Sequence, residues 1–175
     1  MAKGKILKSP KVPGIKLSQE IVRQAIFAIL AEKVDGAICL DLYAGSGAIG
    51  IEALSRGAAE CDFIDNNEEC VSTIKENLRN CHFDLNHEVL REDSLKYVSN
   101  AAKNYDIIFM DPYYDQASHK HIFKMLPRIM NANSTIVFLH GSKLNAVDFL
   151  DGKELKIVDE RKYGATVTTF ITQLT

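Results

Sequence analysis

A chain of 175 residues fits one compact domain with a single sizeable core. Hydrophobic residues at 46% and charged residues at 25% describe a globular protein rather than a disordered one, and no apolar run approaches the ~20 residues of a membrane span. A net charge of -2 excludes a surface coated in positive charge, yet Lys3, Lys5, Lys8, Lys11 and Lys16 all precede the first acid, Glu20, so the N-terminus is locally basic.

Residues 1–17 therefore read as a basic arm able to follow a phosphate backbone, and 18–175 as the folded domain. The arm lacks the apolar stretch of a leader peptide, which makes a cytoplasmic protein the expectation. Helical spacing of Ile21, Ala25, Ile26, Ile29 and Leu30, with Ser18 as N-cap, predicts the first helix. Strand and helix then alternate. Ala37 to Leu42 reads as a buried strand, Ala48 to Arg56 as a helix stopped by Gly57, and Cys61 to Asp65 as a second strand. A helix from Glu68 to Asn80 carries Val71, Ile74 and Leu78 on one face, followed by a weak strand at His87 to Leu90 and a helix at Ser94 to Ala102. Tyr105 to Met110 is a strongly apolar strand. His119 to Met130 reads as a helix bent or ended by Pro127, and Thr135 to His140 as a fifth strand.

Such alternation implies a parallel sheet with helices on both faces. The end differs: Leu155 to Glu160 and Thr166 to Thr172, joined through Gly164, predict a terminal antiparallel hairpin. Cys39, Cys61, Cys70 and Cys81 form no C-x-x-C pair and read as reduced, buried thiols. His119 and His121 stand at i,i+2 and do not share a helix face, so no metal site is expected.

The loop Gly45-Ser46-Gly47-Ala48-Ile49-Gly50 joins the first strand to the next helix, and its glycines permit a tight turn and close approach of a ligand. Dinucleotide sites share this spacing, with a pyrophosphate held at the helix N-terminus. Asp41 shifts the balance, because a carboxylate at the strand end would repel a pyrophosphate but suits the cationic sulfonium and ammonium groups of S-adenosylmethionine. Tyr43, Gly45 and Gly47 join Asp41 as expected cofactor contacts. Asp65 and Asn66 close the second strand, where an acid accepts hydrogen bonds from ribose hydroxyls. Asp93 and Ser94 follow the third strand and are candidates for the adenine ring, although Ser94 serves equally well as a helix N-cap.

Asp111-Pro112-Tyr113-Tyr114 follows the apolar fourth strand, whose C-terminal end should border the same crevice. Methylating an exocyclic amine requires its nitrogen lone pair to face the methyl group. Asp111 and the Pro112 carbonyl could accept the two N–H bonds, and the ring of Tyr114 could stack on a flipped-out base. These three are the candidate catalytic residues.

With Asp41-Leu-Tyr-Ala-Gly-Ser-Gly-Ala-Ile-Gly-Ile-Glu-Ala-Leu-Ser-Arg-Gly-Ala58, the chain resembles the bacterial methyltransferases that modify a guanine N2 in 16S ribosomal RNA. The resemblance extends through Val22 to Phe27, Asn77-Leu78, Asp111-Pro112 and Lys162 to Thr166. It implies a Rossmann-like, doubly wound, mostly parallel seven-stranded sheet, S-adenosylmethionine as donor, and small-subunit ribosomal RNA or the assembling small subunit as partner. Tyr113 stands where the family motif has a second proline, and Lys16-Leu17-Ser18 stands where an arginine-proline-threonine is usual. Other amine acceptors (adenine N6, protein glutamine), a weakened RNA-binding assembly protein and a dinucleotide-dependent oxidoreductase remain open at this point.

Overall fold

The computed structural model describes residues 6–12, 20–112, 119–150 and 152–174. Helix α1 (Glu20–Leu30) leads through a short 3-10 turn into β1 (Ile38–Leu42), α2 (Ala48–Ser55), β2 (Glu60–Asp65), α3 (Glu68–Asn80) and β3 (Val89–Arg91). The second half runs α4 (Ser94–Asn100), β4 (Tyr105–Met110), α5 (His119–Met125), β5 (Met130–Gly141), β6 (Leu155–Tyr163) and β7 (Thr166–Gln173). The strands form one seven-stranded sheet in the order β3-β2-β1-β4-β5-β7-β6. Strands β1 to β5 are mutually parallel, and β7 is antiparallel to both β5 and β6. This is the doubly wound sheet with a terminal hairpin that the alternation predicts.

Side-chain alternation along the strands divides the core in two. Cys39, Cys61, Phe63, Ile107, Phe109, Val137 and Leu139 meet α1, α2 and α3 on one face. Leu40, Leu42, Ile64, Ile108, Met110, Ile136 and Phe138 meet α4 and α5 on the other. Both faces of β1 are therefore buried, which is why its sequence is a continuous apolar run broken only by Asp41. The parallel strands put all their C-termini on one rim, and the reversal of strand order between β1 and β4 leaves a crevice there.

Several element ends differ from the periodicity. Helix α5 stops at Met125 because Pro127 enters a 3-10 turn over Leu126–Ile129. Strand β5 starts at Met130, pairing with Tyr105, before a register shift resumes the ladder at Ile107 and Thr135. Ser134 bridges that irregularity by donating to the carbonyl of Tyr105 at 2.6 Å. Strand β6 continues past Glu160 to Tyr163, held by its partner β7. Asn131, Ala132 and Asn133 carry no strand pattern of their own, so only pairing across the sheet decides their conformation.

At the opposite rim a buried acid secures α4. Asp62 accepts from Lys103 Nζ at 2.8 Å and from the Tyr105 hydroxyl at 2.8 Å, and Tyr97 of α4 hydrogen-bonds the Tyr105 hydroxyl in turn. Its second oxygen accepts from the Glu88 N–H at 3.1 Å. A carboxylate 1% exposed is tolerated because every side of it is paired. These residues lie away from the rim that holds the predicted site.

Candidate functional site

The loop after β1 is anchored group by group. The Gly45 N–H donates to Asp65 Oδ2 at 2.9 Å, the Gly47 N–H to the Ala44 carbonyl at 2.7 Å, and the Gly50 N–H to Asp41 Oδ2 at 2.9 Å. The Ser46 carbonyl accepts from Asn77 Nδ2 at 2.9 Å. Tyr43, Gly45 and Gly47 all have positive φ, 60°, 57° and 75°, so the chain makes three left-handed steps before entering α2. A side chain at Gly47 would also meet Ile74 at 3.2 Å.

Three of the predicted acids converge on this loop. Leu42 is level with Met110 and Ile64, so Asp111 and Asp65 each lie one residue beyond that level, and Asp41 one residue before it. Asp41 is 2% exposed. Burial pushes its carboxyl well above the ordinary aspartate range; the Gly50 N–H opposes this, and the carboxylates of Asp111 and Asp65 add to it. A cation bound beside it would oppose this rise. Asp65 accepts from the Gly45 N–H and, at 2.9 Å, from the Asn67 N–H, and the Cys70 thiol also hydrogen-bonds its carboxylate. Two carboxylate oxygens have about four acceptor sites, so capacity remains for a ligand hydroxyl.

Because the folded pKa of Asp41 lies above its unfolded value, the stability contributed by its neutral form is present in acid and lost as pH rises through the folded pKa. Ligand-free protein should lose melting temperature as pH rises above the ordinary aspartate range, and Asp41→Asn should flatten that fall. Parallel wild-type and variant profiles in thermal scans would contradict a strained carboxyl at this position.

The segment after β3 differs from one of its two sequence readings. Asp93, not Ser94, caps α4, with its side chain accepting from the Lys96 N–H at 2.9 Å. Ser94 is the first helical residue, 3% exposed, and it hydrogen-bonds the Tyr43 hydroxyl. Burial pushes the Tyr43 phenol up to about 12; the bond from Ser94 opposes this and the Asp93 charge adds to it. The Tyr43 ring also meets His119 edge-on, with centroids 6.2 Å apart. Asn66 is exposed beside Asn67, which caps α3 by accepting from the Glu69 and Cys70 N–H groups. Together with Glu68, Glu69, Ser72 and Arg91 they line an open depression next to Asp65.

Asp111 and Pro112 are half-buried at the end of β4, within electrostatic reach of Asp41. Tyr114 lies outside the described residues, as does Tyr113. One strand further along the rim, buried His140 of β5 shares a 2.8 Å bond between its Nε2 and the Thr169 hydroxyl, which donates to Glu160 at 3.0 Å. That chain ties β5, β7 and β6 together beside the predicted base-binding segment.

The arm supplies what motif reading did not reveal. Lys8 N–H donates to Asn77 Oδ1 at 2.8 Å, and Asn77 Nδ2 donates to the Lys8 carbonyl at 2.9 Å. Pro10 is buried, Leu7 packs on the α1–α3 core, and Lys8 Nζ pairs with Glu76 at 2.5 Å. The sequence signal was a lone amide adjoining Ile74 and Leu78 on the apolar face of α3.

The profile of the family described as Conserved hypothetical protein 95 matches residues 1–172. The Bacillus subtilis protein YlbH is 30% identical over 169 residues, covering 94% of this chain and 91% of its own. Ribosomal RNA small subunit methyltransferase D of Buchnera aphidicola is 32% identical over 125 residues, 71% of this chain and 65% of that protein. Its Escherichia coli K12 counterpart is 33% identical over 110 residues, 63% of this chain and 55% of that protein, so these two matches span under two thirds of the relatives' length. Among solved structures, Thermus thermophilus TTHA0928 superposes with a TM-score of 0.78 at 28% identity, over 97% of this chain and 94% of that one. The Escherichia coli yhhF protein gives 0.81 at 23% identity, over 95% and 90%, a likeness of fold.

Proposed function

The chain belongs to the Conserved hypothetical protein 95 family and is a methyltransferase, and we propose that it moves a methyl group from S-adenosylmethionine to the exocyclic N2 of a guanine in 16S ribosomal RNA. The observation that carries this reading is the convergence of Asp41, Asp65 and Asp111 around a loop made for close backbone approach. A buried acid with two further carboxylates beside it presents negative potential, a poor host for a pyrophosphate and a good one for a cation. The site's residues therefore fit S-adenosylmethionine better than a dinucleotide.

Asp41 and the glycine loop would hold the methionine end of the cofactor, and Asp65, with Asn66 beside it, the ribose hydroxyls. Tyr43, Asp93 and Ser94 would flank the adenine, although the cap bond leaves Asp93 only its remaining acceptor sites. The bound cofactor would supply a methyl group on a positively charged sulfur, whose neutral thioether is a good leaving group, and the methylated amine loses its surplus proton to solvent after transfer. Asp111 and the Pro112 carbonyl then accept the two N–H bonds of the amine and turn its lone pair toward the reacting carbon. Tyr114 is assigned to stacking on the base. The basic arm, residues 1–17, would follow the RNA backbone ahead of the domain at 18–175, in the cytoplasm where small subunits assemble.

The test is titration with S-adenosylhomocysteine, followed by transfer of labelled methyl to unmodified small-subunit RNA or particles. Transfer to guanine N2 is the expected result. Cofactor binding with transfer to another amine would replace the acceptor, and no binding would remove the cofactor assignment. In the same titration Asp65→Ala should weaken binding by about 1 to 3 kcal/mol, the cost of losing charge-assisted hydrogen bonds. Unchanged affinity would take Asp65 out of the site.

A further inference from the structure

We propose that Asn77 is a positioning residue that couples the basic arm to the cofactor loop, so that cofactor binding and RNA backbone binding reinforce each other. The inference rests on the RNA methyltransferase reading above and adds a regulation of that site. Its foundation is one fully buried amide whose hydrogen-bonding groups join two separate backbones.

The carboxamide oxygen accepts from the Lys8 N–H, and the nitrogen donates both to the Lys8 carbonyl and to the Ser46 carbonyl, at 2.8, 2.9 and 2.9 Å. Toward the arm, the side chain imitates a strand neighbour, satisfying both peptide groups of Lys8. Toward the loop, it fixes the carbonyl between Gly45 and Gly47, the stretch where a ligand can approach the backbone most closely. With 0% exposure, Asn77 has no water to exchange for either partner. A shift of the Ser46 peptide must therefore be followed by the Asn77 amide, and through it by Lys8, or a buried bond is lost.

The arm is equipped to use that coupling. Lys8 and Lys11 are exposed on a segment seated by Pro10 and Leu7, so the charge of Lys11, and that of Lys8 by exchange with Glu76, can meet phosphates while the backbone beneath them is held. Lys8 is also tethered to Glu76, the residue preceding Asn77 on α3. A ligand that settles the glycine loop thus settles the arm, and by linkage RNA on the arm favours the settled loop to the same degree.

The experiment is a binding cycle: affinity for an unmodified 16S RNA transcript with and without saturating S-adenosylhomocysteine, for wild type, Asn77→Ala, Lys8→Pro and Lys8→Ala. Wild type should bind RNA about five-fold or more tightly with the cofactor product present. Asn77→Ala should bring that ratio to one. Lys8→Pro, which deletes the arm's N–H at an exposed position outside the core, should do the same and guards against a folding defect at Asn77. Lys8→Ala removes a charge but retains the backbone pair, so it should weaken RNA binding in both states and preserve the ratio. A ratio of one in wild type, or an unchanged ratio in Asn77→Ala and Lys8→Pro, overturns the coupling while wild-type methyl transfer keeps the functional reading. Absence of S-adenosylhomocysteine binding by wild type overturns both.

Discussion

Asp111→Ala should lower the rate of methyl transfer by about 100-fold or more while S-adenosylhomocysteine affinity changes little. The side chain acts in this scheme by holding an amine, and alanine leaves one of the two N–H bonds without an acceptor, so the lone pair is no longer turned toward the methyl group. Asp111→Asn keeps an acceptor oxygen and should retain more activity than alanine. Asp111 also contributes negative charge at Asp41, so the cationic donor should lose more affinity than its neutral-sulfur product when that charge is removed. Single-turnover transfer measured beside titration of both ligands separates these effects. An alanine variant as active as wild type would end the positioning role of Asp111.

Gly50→Ala should lower the melting temperature by roughly 2 to 12 °C, from an overpacking cost of about 1 to 3 kcal/mol in a domain of this size. A Cβ there would stand 2.4 Å from Phe63 Cε1 and 2.7 Å from Cys61 Sγ. Helix α2 lies directly on β2 at that point, with the Phe63 ring and the Cys61 sulfur of β2 both in the path of the added carbon. Relief must lift the helix, and lifting it stretches the 2.9 Å bond from the Gly50 N–H to Asp41, so cofactor affinity should fall together with stability. Phe63→Leu added to Gly50→Ala should recover part of the melting temperature. Thermal scans of both variants decide the matter: an undiminished single variant would mean the helix is not packed at this distance.

The two variants probe features with different legibility. Gly50 and Asp41 were both recognisable as parts of one motif, but their hydrogen bond is a property of α2 lying on the sheet. Asp93 and Ser94 were read as a pair beside the adenine, with Ser94 as the alternative helix cap. The structure divides the labour because Ser94 has Tyr43 to bond, a partner brought to it across the sheet by β1, while Asp93 faces outward with a free backbone N–H in reach. Asn77 was visible as part of a family motif, yet its contacts with Lys8 and Ser46 join three segments remote in sequence. A helical wheel shows only that a polar group has entered the core, never which backbones it satisfies.

By itself the sequence determined the alternation of elements, the doubly wound sheet with its hairpin, the loop at Gly45 to Gly50 and the acids at the strand ends, because hydrophobic period and glycine or proline placement act over a few residues. Tertiary structure decided the early start of β5, the insertion of β7 between β5 and β6, the burial that pushes the Asp41 carboxyl up, and the clasp of the arm by Asn77. Each of these depends on which distant groups share a low-dielectric interior, and a one-dimensional pattern does not encode the distances on which hydrogen bonds and charge interactions depend.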